Sequence, residues 1–223
     1  MLRHSRVFSF RQGLEFCRAE WYNGNGGAGR AFLILCADIC FRESLSLHYL
    51  AHYDSPLGRI TVASDGAALV GLWFEGQKYF GQGLSQSCEK EPLPGLEEAI
   101  RWLNIYFSGR VPDFTPPVCL DGLSPFRKRV LQILSEIPYG RVSTYGRIAE
   151  RIRAETGKNV SAQAVGGAVG HNPVSLIIPC HRVVGADGSL TGYAGGVAKK
   201  AELLKMEGAD LSKLYIPQRG TAL

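Results

Sequence analysis

No run of apolar residues in this sequence approaches the length of a membrane-spanning helix; the longest, Ala31 to Ala37, is far too short. That run also lies too deep behind the N-terminus, and lacks a clean cleavage pattern, to read as a secretory signal. A cysteine framework is missing too. Cys17, Cys36, Cys40, Cys88, Cys119 and Cys180 are scattered, which argues against a disulfide scaffold. It favours free thiols in a reducing, cytoplasmic compartment, or in the nucleus of a eukaryotic cell. Cys36 and Cys40 are spaced like metal ligands, but a closed zinc site takes about four ligands. No second close pair follows, so no metal is expected. The glycine-rich loop Thr191-Gly192-Tyr193-Ala194-Gly195-Gly196 is too loosely spaced for a phosphate-binding fingerprint, and no cofactor is expected.

What is present is an ordinary globular composition: 223 residues, 45% apolar and 20% charged. That is enough for one large domain or two small ones. The net charge of +5 is unevenly spread. Residues 50–121 carry five Lys/Arg against nine Asp/Glu, while residues 122–209 carry twelve against six. The second half is therefore the basic one, and a polyanion such as nucleic acid is a reasonable partner for it. A solvated basic surface explains the charge equally well.

Residues 1–48 read as a poorly ordered extension around the turn-rich Asn23-Gly24-Asn25-Gly26-Gly27. A small antiparallel sheet follows. Asp54 to Gly58 form a turn, Arg59 to Ser64 alternate as a strand, Asp65-Gly66 signals a hairpin, and Ala68 to Phe74 return. Leu96, Ile100, Leu103 and Phe107 give a helix over 94–107 its apolar stripe. Pro112, Pro116 and Pro117 make a rigid connection, which sets domains at 49–121 and 122–209 with a tail over 210–223. In the second domain Ser124 caps a helix that has Pro125 at its first position. Ser143 is placed to cap a short helix through Tyr145 and Ile152, and Ser161 to cap another over 162–169, ended by Gly170. This pair reads as a helix-turn-helix or as plain packing. Ala162, Ala164, Gly166, Gly167 and Ala168 leave its second helix almost without bulk, so either another helix or a nucleic acid approaches closely. The last helix runs from Val197 to Met206, with Glu207-Gly208 at its end.

Between these helices lies Ile177-Ile178-Pro179-Cys180-His181-Arg182-Val183-Val184. The β-branched run reads as a buried strand, and Pro179 marks a strand end or a rigid turn. A buried cysteine reacts only as the thiolate, which a histidine, a cation or a helix N-terminus must favour. Along a strand His181 and Cys180 face opposite sides. Either the backbone turns at Pro179 or a water relays the proton. A histidine base also needs an acceptor on its other nitrogen, and Glu207 is the candidate, with Glu202 the alternative.

Pro179-Cys180-His181-Arg182-Val183 resembles the active-site motif of the O6-alkylguanine-DNA alkyltransferases, also called methylated-DNA–protein-cysteine methyltransferases. Asp54-Ser55-Pro56-Leu57-Gly58, Ile137-Pro138-Tyr139-Gly140, Val142-Ser143-Thr144-Tyr145-Gly146, Ala164-Val165-Gly166-Gly167-Ala168, Asn172-Pro173 and Gly192-Tyr193-Ala194-Gly195-Gly196 are similar to further family motifs, in the same order. The resemblance spans about residues 50 to 208. It implies an α+β fold: a small N-terminal antiparallel-sheet, RNase H-like domain, then a mainly helical DNA-binding domain with a helix-turn-helix and the active-site cysteine. It implies direct-reversal DNA repair, in which Cys180 takes the alkyl group irreversibly from a flipped-out guanine O6. His181 would act as base through a water, oriented by Glu207. Tyr145 would protonate guanine N3, and Asn172 would hold the loops around the thiol. Ser161, Ala162, Gln163, Gly166 and Arg147 would meet DNA through its minor groove, and Tyr193, Ala194 and Lys200 would border the base. The implied partner is duplex DNA carrying O6-alkylguanine, with O4-alkylthymine left open, met by a monomer that touches no membrane.

Two positions depart from the family pattern. Gln163 stands where an arginine commonly replaces the flipped base in the stack, and Ala194 stands where some members have serine. Two other readings compete. One is a lesion-binding protein without chemistry, a branch that typically has tryptophan where this chain has Cys180. The other is a hydrolase with a Cys-His-Glu triad.

Overall fold

The Ser55-Pro56-Leu57-Gly58 corner folds the chain back on itself and starts a sheet. The computed structural model describes residues 48–84, 88–89 and 94–217; the glycine-rich stretch near residue 25 and the Cys36–Cys40 pair lie outside them. Strands β1 (His48–Ser55), β2 (Gly58–Ser64), β3 (Leu69–Phe74) and β4 (Cys88–Glu89) lie in the order β3-β2-β1-β4. The first three are antiparallel, as expected, but β4 pairs parallel with β1, so the sheet is mixed. β1 itself escapes sequence reading: its side chains are half-buried and polar at several positions, which blurs the alternation that marks a strand.

Helix α1 (Pro94–Phe107) packs on this sheet. Its buried stripe is Leu96, Ala99, Leu103 and Tyr106. Ile100 and Phe107, expected inward, are only partly buried. The stripe lies one position away from the expected one, which brings the Tyr106 hydroxyl inside.

The second half is helical. Ser124 Oγ accepts the Arg127 amide and Pro125 opens α2 (Pro125–Ser135), as the sequence predicts. The cap of α3 (Tyr145–Thr156) is Thr144 rather than Ser143: its Oγ1 accepts the Arg147 amide at 3.2 Å. Ser143 and Thr144 instead form β5 (Ser143–Thr144), a short strand parallel to β6 (Val183–Val184). Gly157 ends α3 in the left-handed conformation at φ 68°. Ser161 caps α4 (Ala162–Gly170) through the Ala164 amide, and His171 rather than Gly170 closes it. α5 (Val197–Met206) buries Leu203 and Leu204.

The two halves share one hydrophobic core, from Ile60 and Trp102 to Val165 and Leu203. They also share a sheet edge. β3 hydrogen-bonds Pro117 and Cys119 at one end through Leu69, and Pro173 and Ser175 at the other through Leu72. These bonds fix the segment that leads into Cys180 against the first half. At the far end, the segment expected as a tail is tied down by Tyr215. Its carbonyl accepts the Leu190 amide, and its hydroxyl donates to Asp187 Oδ2 at 2.6 Å.

Candidate active site

The run from Ile177 to Val184 is not one strand. Pro179 sits at φ −81°, ψ 66°, the geometry of an inverse γ-turn, and the Cys180 amide closes it on the Ile178 carbonyl at 2.8 Å. One turn earlier, Leu176 is held at φ 69° although it is not glycine. Such a conformation costs on the order of 1–3 kcal/mol and tends to persist where surrounding structure enforces it. Cys180, His181 and Arg182 then form a single 3-10 turn, and the strand resumes only at Val183. The strand expectation fails because proline's fixed φ and missing N–H favour the turn over a ladder. Of the two alternatives, the backbone does turn at Pro179.

All three turn side chains are buried: Cys180 is 4% exposed, His181 0% and Arg182 8%. Burial pushes the Cys180 thiol above its ordinary range, while hydrogen bonding from Asn172 and the Lys200 charge pull it partly back. The thiol therefore rests protonated at neutral pH and needs a base. Burial also pushes His181 below the ordinary histidine value, against the pull of Glu207, so the imidazole is neutral and able to accept a proton.

Glu207, one residue beyond α5, organises the site. Its Oε1 takes His181 Nε2 at 2.7 Å, the Tyr106 hydroxyl at 2.7 Å and Arg182 Nη2 at 2.9 Å. Its Oε2 takes Arg182 Nε at 2.8 Å and the Gly140 amide at 3.1 Å. Burial disfavours the carboxylate, yet the hydrogen bonds from His181 and Arg182 prevail and hold it down at about 2. An ionised carboxylate accepts and cannot donate, so the neutral His181 ring carries its proton on Nε2. Nδ1 is left as the acceptor, and this buried atom has no hydrogen bond among the described residues. Glu202, the alternative partner, is exposed and lies 4.0 Å from Lys205. The turn Pro138-Tyr139-Gly140 docks directly on Glu207. Gly140 has φ +69°, and a Cβ there would meet the Glu207 carbonyl oxygen at 2.6 Å.

Asn172 holds the neighbouring loops. It is buried, donates to the Ile178 carbonyl at 2.8 Å and accepts the Val174 amide at 3.1 Å. Tyr145, at the start of α3, donates to the Thr191 carbonyl at 2.8 Å. Burial and the nearby Cys180 push its phenol upward, so it stays protonated. Tyr193 is buried edge-on to His181, and its hydroxyl has no partner among the described residues. Ala194 is half-buried, and its carbonyl accepts the Lys78 amide at 3.1 Å.

Lys200, assigned by sequence to the base-binding surface, is placed elsewhere. It is 0% exposed, and its ammonium donates to the carbonyls of Val183 at 2.5 Å and Thr191 at 2.6 Å. Burial lowers it to about 8. A charge this deep is tolerated because it bonds two backbone oxygens, and its action on the thiol is electrostatic.

Of the residues assigned to DNA contact, Ser161, Ala162 and Gln163 at the start of α4 and Arg147 on α3 are each exposed. Gly166 is half-buried over the Tyr145 ring, where a Cβ would be in ordinary contact at 3.8 Å. A Cβ at Gly167 would meet none of the described residues within 4 Å. Packing against the described residues therefore does not explain a glycine at position 167.

Sequence reading missed Tyr106, Arg182 as the clamp on Glu207, and Gly140. A tyrosine ending an apolar helical stripe was the available signal for Tyr106.

A family model described as 6-O-methylguanine DNA methyltransferase, DNA binding domain, matches residues 125–209, and one described as 6-O-methylguanine DNA methyltransferase, ribonuclease-like domain, matches residues 48–120. The methylated-DNA–protein-cysteine methyltransferase of Mycobacterium tuberculosis is 41% identical over 162 residues, 71% of this chain and 93% of that protein. The protein of the same name from Haemophilus influenzae is 39% identical over 160 residues, covering 71% and 86%. Among solved structures, the Mycobacterium tuberculosis OGT in complex with DNA aligns with a TM-score of 0.61 at 38% identity, over 73% of this chain and 92% of that one. The O6-methylguanine-DNA methyltransferase of Pyrococcus kodakaraensis aligns at 0.53 and 26% identity, over 73% and 99%.

Proposed function

The chain belongs to the 6-O-methylguanine DNA methyltransferase family, and from that premise we propose that Cys180 is the atom that receives the alkyl group. The protein is a methylated-DNA–protein-cysteine methyltransferase that repairs DNA by direct reversal. The observation that carries the assignment is the pairing of a buried, protonated thiol with an adjacent neutral imidazole whose Nε2 is fixed on an ionised Glu207. His181 Nδ1 takes the thiol proton, through a water where direct contact fails. The sulfur attacks the alkyl carbon, the S–C bond forms as the C–O6 bond breaks, and guanine leaves with a proton from Tyr145 on N3. The thioether formed on Cys180 is stable to water, so each protein molecule acts once.

The substrate in this reading is O6-alkylguanine flipped from the duplex, because the reacting carbon is out of reach in stacked DNA. The bare face of α4 meets the minor groove, where its missing side chains permit close approach. Gln163 takes the space left by the base, Arg147 meets phosphate, and the loop at Tyr193 and Ala194 closes over the guanine. A monomer suffices for every one of these contacts.

The test is stoichiometric. The protein is mixed with excess duplex carrying O6-methylguanine, and the peptide containing Cys180 is weighed. One added methylene mass per chain, no further turnover, and its loss in Cys180→Ser are expected. Tight binding without a mass change would point to a lesion-binding protein, and repeated turnover to a hydrolase; either sinks the proposal.

A further inference from the structure

Tyr106 belongs to the ribonuclease-like half, yet it touches the catalytic pair of the other half. It is completely buried near the end of α1. Its hydroxyl donates to Glu207 Oε1 at 2.7 Å and lies 3.5 Å from His181 Nε2. The ring stacks on Trp102 at 5.1 Å and meets Phe107 and Tyr139 edge-on. A phenylalanine would keep every one of those ring contacts. The hydroxyl is thus a separate feature, and a buried hydroxyl is costly unless it is bonded.

We propose that Tyr106 is a positioning residue that sets the basicity of His181 by competing for the carboxylate oxygen on which the imidazole rests. This deepens the reading of His181 as the base and depends on it. An imidazolium at His181 would be stabilised mainly by the negative charge on Glu207 Oε1. Each further donor to that oxygen draws on the same charge, and in a dry site the competition is felt strongly. Tyr106 and Arg182 both donate there. The other titratable or charged groups facing the ring are Cys180 in its own turn, Lys200 from α5 and Tyr193 from the glycine-rich loop, with Tyr139 behind Arg182. Arg182 and Lys200 disfavour the imidazolium and Glu207 favours it. Tyr106 weakens the one favourable partner while fixing its orientation. The ring stays neutral, with Nδ1 free to take the thiol proton.

The experiment compares full-length wild type with Tyr106→Phe. Alkylation by the free base O6-benzylguanine is timed across the pH range, and His181 is titrated by NMR with 15N-labelled histidine. Removing the hydroxyl leaves more charge on Oε1 for His181. The His181 titration and the acidic limb of the rate profile are both expected to move to higher pH by about half a unit or more. Trp102→Phe disturbs the same ring packing but keeps the hydroxyl, and it should leave the limb in place. Tyr106→Met is a second hydroxyl-free variant if the phenylalanine does not fold. A limb that stays put, moves to lower pH, or falls equally at all pH values overturns the proposal. Wild-type protein whose acidic limb does not follow the His181 titration would instead overturn the assignment of His181 as base.

Discussion

Arg182 grips Glu207 with two parallel hydrogen bonds, Nε to Oε2 at 2.8 Å and Nη2 to Oε1 at 2.9 Å, while Nη1 donates to the Ile137 carbonyl at 2.6 Å. One guanidinium thus ties together the catalytic turn, the end of α5 and the turn after α2. Planar fork geometry is what arginine supplies and lysine does not.

Arg182→Ala is expected to leave Glu207 with buried charge and fewer donors. Breaking such a pair typically costs about 3–5 kcal/mol, and thermal or urea unfolding measures it. Arg182→Lys should recover only a minor part, because an ammonium cannot make both bonds.

Stability should fall on the acid side because of Glu207. Burial raises its carboxyl, but the hydrogen bonds from His181 and Arg182 outweigh this and hold it down at about 2, below the roughly 4.3 of an unfolded glutamate. A depressed carboxylate stabilises above the unfolded value, and that contribution is lost as pH falls toward the folded one. The expected loss begins near pH 5, continues toward pH 2, and amounts to about 3 kcal/mol. Glu207→Gln is expected to be less stable at neutral pH and to show a flatter melting curve across that window.

Gly192→Ala should disable the pocket at one atom. Gly192 has φ +70°, and an added Cβ would lie 2.6 Å from the Tyr145 hydroxyl. Both the backbone strain and the clash act together, so Tyr145 must leave the Thr191 carbonyl. The repair rate on methylated duplex is expected to fall at least tenfold, with destabilisation of about 1–3 kcal/mol, measured by single-turnover kinetics and thermal unfolding.

Gln163→Arg should raise the repair rate on methylated duplex and leave the reaction with free O6-benzylguanine unchanged. A planar cation stacks and carries charge that glutamine lacks. Equal rates on duplex for the two proteins would show that extrusion of the base does not depend on this side chain.

Much of the scaffold could be read locally. Ser124-Pro125 and Ser161 mark their helix starts because capping uses only neighbouring residues. The Cys180, His181 and Glu207 set followed from chemistry and resemblance; the turn carries the first two, and His181 Nε2 bonds Glu207. The residues that escaped depend on the tertiary fold. Pro179 was readable as a break, but not that the Ile178 carbonyl would take both the Cys180 amide and Asn172 Nδ2. Tyr106 reaches Glu207 across 101 positions of sequence. Lys200 reads as a base-bordering charge until Val183 and Thr191 present their carbonyls to it.

The empty space beside Gly167 sets stability and service against each other. In a solvent-facing helix, alanine is favoured over glycine by up to about 1 kcal/mol, and none of the described residues would obstruct its methyl. Selection for heat resistance alone would therefore fill this face, residue by residue, with side chains that improve the free protein. Under the proposed minor-groove contact, each added carbon would stand between α4 and the DNA. In such a screen, lasting glycine at position 167 would be the mark of repair under selection.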